Sequence, residues 1–267
     1  MLSLVHVLEW RAAVHPGAIA LSDQQGAELT YAGLADAVDR SAAGFAAAGI
    51  GPGDVVPVIA GNQAGWVTAM LGLIRAGALP AAVNWRLAAP EVAALLRLAG
   101  PAAVLTDAGC AALAGQAAAG LDRPVPILDL AGPPPATDGA RAAPPERPVS
   151  RLRPSEPAIL VHTSGTTGRP KLVPLTHQQL ITAVVFMKLE VPEAVPGARH
   201  LSALPLFHVA GLANLSYTLF TGGHLHLLAG FDPAGFVDEL VRRRIQLTQL
   251  VPTLIHAVTQ EVSSRAE

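Results

Sequence analysis

Short apolar runs alternate with amphipathic segments along most of this chain. The runs at 55–60 and 158–161 hold no polar side chain, which is the pattern of strands buried on both faces. Between such runs, apolar residues recur at the spacing of one helix face, as Leu34, Val38 and Phe45 do. This alternation favours an α/β fold in which mostly parallel sheets are flanked by helices.

The same pattern predicts individual elements. Helices are expected at 1–13, from Tyr31 to about 48, at 62–76, 90–99, 177–187, 209–220 and 233–244, in the alanine-rich stretch between 105 and 126, and from Pro252 onward. Strands are expected at 18–22, 29–30, 55–60, 79–83, 103–105, 126–128, 158–161, 199–204, 224–228 and 246–251. Thr30, Asn62 and Asp232 precede three of these helices, and residues of these types cap helix N-termini.

One segment departs from this alternation. Residues 131–157 are crowded with prolines among Ala, Gly, Arg and Glu, which is typical of a linker or a long exposed loop. It divides the chain into an N-terminal α/β lobe at 1–130 and a second, incomplete α/β lobe at 158–267.

Composition excludes several classes of function. The net charge is −2 and 14% of the residues are charged, so the chain lacks the excess of positive charge that is typical of nucleic-acid-binding proteins. The uncharged runs 55–74 and 201–231 are interrupted by Gly, Pro, Asn, Gln or His, so no membrane span is expected. The single cysteine, Cys110, cannot form an intramolecular disulfide and fits a reducing compartment, and we expect a cytoplasmic protein.

The residues that follow the strand at 158–161 are the strongest candidates for a binding or catalytic site. It combines four hydroxyl residues with Gly165, Gly168 and Lys171, a composition that suits a polyphosphate because backbone N–H groups, hydroxyls and a cation can all face anionic oxygens. The Walker A pattern is excluded, since only two residues separate the glycines and Leu172 follows the lysine. Taken by itself, such a cluster usually marks an ordinary polar surface turn.

The longer run from Leu160 to His177 resembles the signature of the AMP-forming adenylating enzymes, the superfamily of acyl-CoA synthetases and peptide-synthetase adenylation domains. The core Thr-Ser-Gly-Thr-Thr-Gly-x-Pro-Lys matches at 163–171, and Leu172 stands where the family has glycine. The resemblance implies the large N-terminal domain of the acyl-CoA synthetase-like fold, in incomplete form, with ATP, Mg²⁺ and coenzyme A as cofactors. It assigns the phosphates of ATP to Thr163, Ser164, Gly165, Thr166, Thr167, Gly168 and Lys171. It gives catalytic roles to Lys171 and Thr166, and it places the metal at Thr166.

A second run, Pro205-Leu206-Phe207-His208 followed by Gly211, resembles the Pro-Leu-Phe-His-x-x-Gly motif of acyl-CoA synthetases. It implies that His208 is catalytic and sits beside the substrate carboxylate and the α-phosphate. Without the resemblance, a lone histidine here could be a buried residue satisfied by backbone. This motif favours acyl-CoA synthetases over peptide-synthetase adenylation domains, in the style of the oxalate–CoA and coumarate–CoA ligases. The runs at 72–87 and 251–254 resemble further family motifs, to which we assign no chemistry.

Two other candidates are weighed against simpler interpretations. His224 and His226 alternate with leucines on one strand, so both point to one face and could bind a metal, but an exposed strand face is the preferred interpretation. Ser164 is rejected as a hydrolase nucleophile because the Gly-x-Ser-x-Gly elbow is absent.

The sequence also ends before the family's Tyr-Gly-x-Thr-Glu segment, its ribose-binding aspartate and its small C-terminal domain. Two hypotheses therefore stay open. The chain is an ATP-dependent carboxylate-activating ligase that needs its missing C-terminal half, acting on a small carboxylic acid, or it is a non-catalytic binding or scaffold protein. The identity of the acid is not readable.

Overall fold

The computed structural model describes residues 3–130, 152–163, 170–190 and 195–266. Within these ranges the helices are α1 (Leu4–Val14), α2 (Tyr31–Ala47), α3 (Ala64–Ala76), α4 (Ala89–Ala99), α5 (Ala111–Ala118), α6 (His177–Glu190), α7 (Val209–Thr221), α8 (Pro233–Arg242) and α9 (Pro252–Ala266). The strands are β1 (Ile19–Asp23), β2 (Glu28–Thr30), β3 (Val55–Ile59), β4 (Leu79–Ala82), β5 (Val104–Thr106), β6 (Ile127–Asp129), β7 (Pro157–Thr163), β8 (Lys171–Thr176), β9 (Arg199–Ser202), β10 (His224–Leu227) and β11 (Leu247–Thr248).

The strands form two mostly parallel sheets, as the sequence predicts. One sheet has six strands in the order β6-β5-β3-β4-β7-β8, and only its edge strand β8 runs antiparallel to its neighbour. The other has five strands in the order β11-β9-β10-β1-β2, again with one antiparallel strand, β2, at the edge. The α/β fold class with sheets flanked by helices is confirmed.

Each sheet combines strands from both sides of the segment 131–157. The N-terminal hairpin of β1 and β2 pairs with β10, while β7 and β8 extend the sheet of β3 to β6. Residues 131–151 lie outside the described part of the chain. The division into lobes at 1–130 and 158–267 stays a prediction, but hydrogen bonding across it means that these two halves share both sheets.

The sequence pattern indicates only one strand of the hairpin that β7 and β8 form. The apolar run at 158–161 indicates β7, but β8 contains Pro174, and proline argues against a central strand. β8 lies at the edge of its sheet, where proline is tolerated because half of the strand's N–H groups have no ladder partner. The predicted strand 246–251 is likewise shorter, because only Leu247 and Thr248 pair with β9 before Pro252 begins α9.

The prediction that His224 and His226 lie on an exposed strand face is wrong. β10 is an interior strand between β9 and β1, and α8 covers this face, with Glu239 Oε2 3.9 Å from His226 Nε2. The side chain of His226 is 1% exposed and His224 is partly buried. Ser22 Oγ lies 2.6 Å from His224 Nε2 and 2.7 Å from His226 Nδ1. Burial lowers the pKa of both histidines, that of His226 to about 4.

Candidate functional site

A cleft of 750 Å³ opens at the carboxyl ends of β4 and β7 in the six-stranded sheet. From β4 the chain returns across β3 to β5, whereas from β7 it continues outward to β8, and crevices in α/β sheets form where the connections leave two adjacent strands in opposite directions. The walls come from the segment after β4, the start of α4, the end of β7, and the start of α7. They are lined by Asn84, Leu87, Pro90, Glu91, Ala94, Val161, His162, Thr163, Pro170, Phe207, His208 and Val209.

The two ends of the predicted phosphate loop meet beside this cleft. Thr163 is the last residue of β7 and Lys171 the first of β8, and they are direct cross-strand partners with both side chains exposed. Directly opposite residues in an antiparallel pair have Cβ atoms about 5 Å apart. Backbone pairing therefore places a threonine and a lysine side chain next to each other beside the cleft.

The remaining phosphate-loop residues predicted from the sequence lie outside the described residues. These are Ser164, Gly165, Thr166, Thr167 and Gly168. Their roles toward phosphate, and the assignment of Mg²⁺ to Thr166, stay predictions.

His162 and Phe207 form one wall of the cleft. Their ring centroids are 6.3 Å apart with the planes tilted by 38°. His162 Nδ1 lies 3.2 Å from the carbonyl oxygen of Ala82, which can only accept, so this nitrogen carries the proton and Nε2 remains an acceptor. Burial lowers the pKa of His162 and outweighs the hydrogen bond to Ala82, which acts in the opposite direction. The imidazole is thus neutral at neutral pH.

His208 presents the complementary hydrogen-bonding atom. It is the N-cap of α7, and its Nδ1 accepts from the backbone N–H of Ala210 at 3.2 Å. In the neutral form its proton must then sit on Nε2. The exposed ring of His208 therefore offers a donor, whereas that of His162 offers an acceptor, and both belong to the lining of one cleft. The alternative of a buried histidine satisfied by backbone does not apply to His208.

Asn62 does not cap α3 as predicted. The N-cap of α3 is Gln63, whose side chain makes no capping bond, and Asp23 Oδ2 instead accepts from the N–H of Ala64 at 2.9 Å. Asn62 reaches across to the other sheet and bonds the backbone of residues 204 and 206, just before Phe207. Residue type suggests a cap, and no local pattern could indicate a partner more than 140 positions away.

Two kinds of feature are absent from the described residues. In the part of the chain that the structure describes, no group of three His, Cys, Asp or Glu side chains is placed to hold a metal ion. Among the described helices, none combines the length and the apolar character needed to cross a bilayer.

Comparison with known proteins shows which family the chain belongs to. A family model described as AMP-binding enzyme matches residues 8–267. The chain belongs to this family. The two runs that carry the resemblance, 163–171 and 205–211, lie within the matched residues, and the described parts of both border one cleft.

Individual members resemble the chain over nearly all of its length. A feruloyl-CoA synthase of Amycolatopsis sp is 34% identical over 249 residues, which are 93% of this chain and 48% of that protein. The inhibitor-bound N-terminal domain of FACL13 from Mycobacterium tuberculosis superposes with a TM-score of 0.83 at 27% identity, over 96% of this chain and 64% of that one. MenE from Bacillus subtilis in complex with ATP and a magnesium ion gives 0.81 at 26% identity, over 96% and 51%. The chain spans about half the length of the curated relatives it matches.

Proposed function

We propose that this chain contributes the phosphate-binding and carboxylate-binding part of an ATP-dependent, AMP-forming acyl-CoA synthetase. The observation that carries the proposal is the meeting of two motifs at one cleft. Thr163, paired with Lys171, lies in the same lining as His162 and His208. Thr163 and Lys171 suit the oxygens of a polyphosphate, and the Nε2–H donor of His208 suits a carboxylate or an α-phosphate oxygen.

The proposed reaction has two steps. In the first, a carboxylate oxygen attacks the α-phosphorus of ATP, the bond from that phosphorus to the α–β bridging oxygen breaks, and pyrophosphate leaves with the electron pair. In the second, the thiol of coenzyme A loses its proton, its sulfur attacks the acyl carbonyl carbon, and AMP leaves. The protein makes no covalent bond, so it contributes placement and charge stabilisation.

The described residues fit the first step. The ammonium group of Lys171 would neutralise charge on the leaving pyrophosphate, and the hydroxyl of Thr163 would donate to it. The Nε2–H of His208 would donate to the carboxylate or to an oxygen of the α-phosphate. His162, with its Nδ1 proton directed at the Ala82 carbonyl, offers only an acceptor and would not bond the anionic oxygens.

Mg²⁺ fits this site through phosphate and hydroxyl oxygens. Mg²⁺ keeps several waters and is commonly held by one or two protein oxygens together with substrate phosphates, so a cluster of acidic ligands is not required. We assign the protein oxygen to Thr166, as the family motif implies. Bound there, the ion would supply charge neutralisation between the phosphates.

The substrate is proposed to be a small carboxylic acid, in keeping with relatives named for feruloyl-CoA, indoleacetate and coumarate ligation. The apolar side chains of Leu87, Phe207 and Val209 line the cleft beside its polar wall. The cytoplasmic location expected from the single cysteine stays a prediction. A non-catalytic binding protein is the second candidate.

Carboxylate-dependent exchange of pyrophosphate into ATP tests the proposal. The chain is assayed alone and joined after residue 267 to the remaining half of the Amycolatopsis relative, over a panel of aromatic, small and fatty acids. We expect exchange in the joined protein that is lost in Lys171→Ala and Thr166→Ala and retained in Lys188→Ala, the only other lysine of the chain. A folded joined protein without exchange for any acid would refute the ligase and favour the binding protein.

A further inference from the structure

Asn62 uses all of its side-chain hydrogen-bonding groups between the two sheets. It follows β3 of the six-stranded sheet, and its side chain is 6% exposed. Its Nδ2 donates to the carbonyl oxygens of Leu204, at 2.9 Å, and Leu228, at 3.1 Å. Its Oδ1 accepts from the N–H of Leu206 at 2.9 Å. Both amide hydrogens and the oxygen are therefore used, and each partner is a backbone group in the segment that follows β9 or β10.

These bonds clamp the peptide groups on either side of Pro205. The carbonyl of Pro205, held between them, accepts from the N–H of His208 at 3.0 Å. The same carbonyl presses against α7, because a Cβ built on Gly211 would lie 2.2 Å from its oxygen. The turn from 204 to 208 is therefore fixed by Asn62 on one side and by close packing of α7 on the other.

We infer that Asn62 is a positioning residue for His208, acting through the turn at 204–208. Asn62 itself does not line the cleft, so the inference goes beyond the proposed function while resting on it for the role of His208. The side chain sets where the N-cap of α7 stands, and with it the direction of the His208 donor. A displacement of about 1 Å at a reacting group can cost about a hundredfold in rate, so a clamp of this kind has a kinetic consequence.

The chemistry of the site explains why asparagine is required. Aspartate has the same shape but lacks the two donors, and its carboxylate would face the carbonyls of Leu204 and Leu228. Alanine would leave two carbonyls and the Leu206 N–H buried and unpaired, so three buried backbone groups would lose their partners. Serine is too short to bridge three backbone groups. Each of these replacements is expected to loosen the turn.

The first test reads the turn directly and needs no activity. In the wild-type chain the Leu206 amide should exchange slowly with solvent, and the His208 imidazole should show the ¹⁵N shifts of the Nε2–H form. In Asn62→Ala and Asn62→Asp we expect the Leu206 amide to exchange about 10- to 100-fold faster, as the loss of a buried hydrogen bond implies, and the His208 shifts to move. Rapid Leu206 exchange in the wild type overturns the inference without any variant.

The matched control is Tyr31→Phe. The Tyr31 hydroxyl is also fully buried and donates to a distant carbonyl, but that carbonyl belongs to Gly223, at 2.8 Å, and not to the turn at 204–208. We expect this variant to lose stability while leaving the Leu206 and His208 signals in place. Equal changes at His208 in the Tyr31 and Asn62 variants would show a general loss of stability and would overturn the inference.

The second test measures the kinetic consequence in the joined protein. Asn62→Asp should lower kcat for pyrophosphate exchange by at least about tenfold with KM for MgATP changed less than about twofold, because the phosphate loop is untouched. A change confined to KM, or unchanged kinetics, overturns the inference. Wild-type protein without exchange would count against the proposed function alone, because the first test would still report on the clamp.

Discussion

Adding one methyl group at Gly211 should destabilise the protein and displace the turn that carries His208. Gly211 lies in the first turn of α7, and a Cβ there would be 2.2 Å from the carbonyl oxygen of Pro205 and 2.7 Å from its carbon. Ordinary contact begins at 3.4 Å, so the backbone would have to move by about 1.2 Å. Both atoms belong to the main chain and cannot rotate away.

The magnitude follows from two opposing effects. Overpacking of this kind costs about 1–3 kcal/mol and sometimes more. Replacing glycine by alanine inside a helix recovers about 1 kcal/mol. Since the shift needed here is large, we expect Gly211→Ala to lose about 2 kcal/mol or more in the free energy of unfolding.

Gly115→Ala is the matched control. Gly115 also lies inside a helix, α5, but a Cβ added there would meet nothing within 4 Å. The same substitution should therefore stabilise the chain by about 0.5–1 kcal/mol. Urea denaturation of the three proteins measures both changes. A Gly211→Ala protein as stable as the wild type, or shifted in the same direction as Gly115→Ala, would refute the packing argument.

Two other predictions concern buried polar groups. Burial lowers the pKa of His200 and of His226 to about 4, so the unfolded chain binds more protons between about pH 6.5 and 4. The free energy of unfolding should thus be constant above about pH 6.5 and fall on acidification, by up to about 3 kcal/mol for each histidine near pH 4; urea midpoints that stay level from pH 7 to 4.5 would contradict this. Asp23 accepts from the N–H groups of Gln25, Ala27 and Ala64, at 2.9, 3.0 and 2.9 Å. Asp23→Ala should therefore cost about 2–3 kcal/mol in urea denaturation, with Asp36→Ala on exposed α2 surface as the control, and equal midpoints for the two variants would refute the capping role.

Local sequence patterns predict the fold well wherever a pattern repeats over several residues. The apolar runs indicate β3, β4 and β7, and Thr30 and Asp232 cap α2 and α8 through side-chain bonds to Gly33 and Gly235. Each of these features depends on neighbours within a few positions along the chain. The α/β class and most of the elements therefore follow from local patterns of residue type.

The sequence predictions fail where residues far away along the chain determine the surroundings of a side chain or strand. His226 is buried because β1 and β9 flank its strand and α8 covers it, and none of these neighbours is visible in the alternation with leucines. Asn62 has the composition of a helix cap, but its partners lie more than 140 residues away. The antiparallel strand β8 escapes prediction because proline weighs against a strand unless the strand is known to lie at an edge.

In the candidate site, the sequence identifies several of the residues but not how they are arranged. The motifs at 163–171 and 205–211 identify Thr163, Lys171 and His208 by resemblance. Their meeting at one cleft follows from the parallel pairing of β4 with β7 and from the position of α7, which are tertiary facts. The paired tautomers of His162 and His208 depend on single backbone contacts, which residue type and spacing do not indicate.

The most direct test of the central claim compares the chain's two lysines. Lys171 begins β8 directly opposite Thr163, which lines the cleft, whereas Lys188 lies on α6. Acylation of each lysine is followed by mass spectrometry with and without magnesium pyrophosphate. The account predicts that pyrophosphate at about ten times its Kd slows modification of Lys171 about tenfold and leaves Lys188 unchanged. Equal rates at Lys171 with and without saturating pyrophosphate would contradict the assignment of this hairpin as the phosphate site.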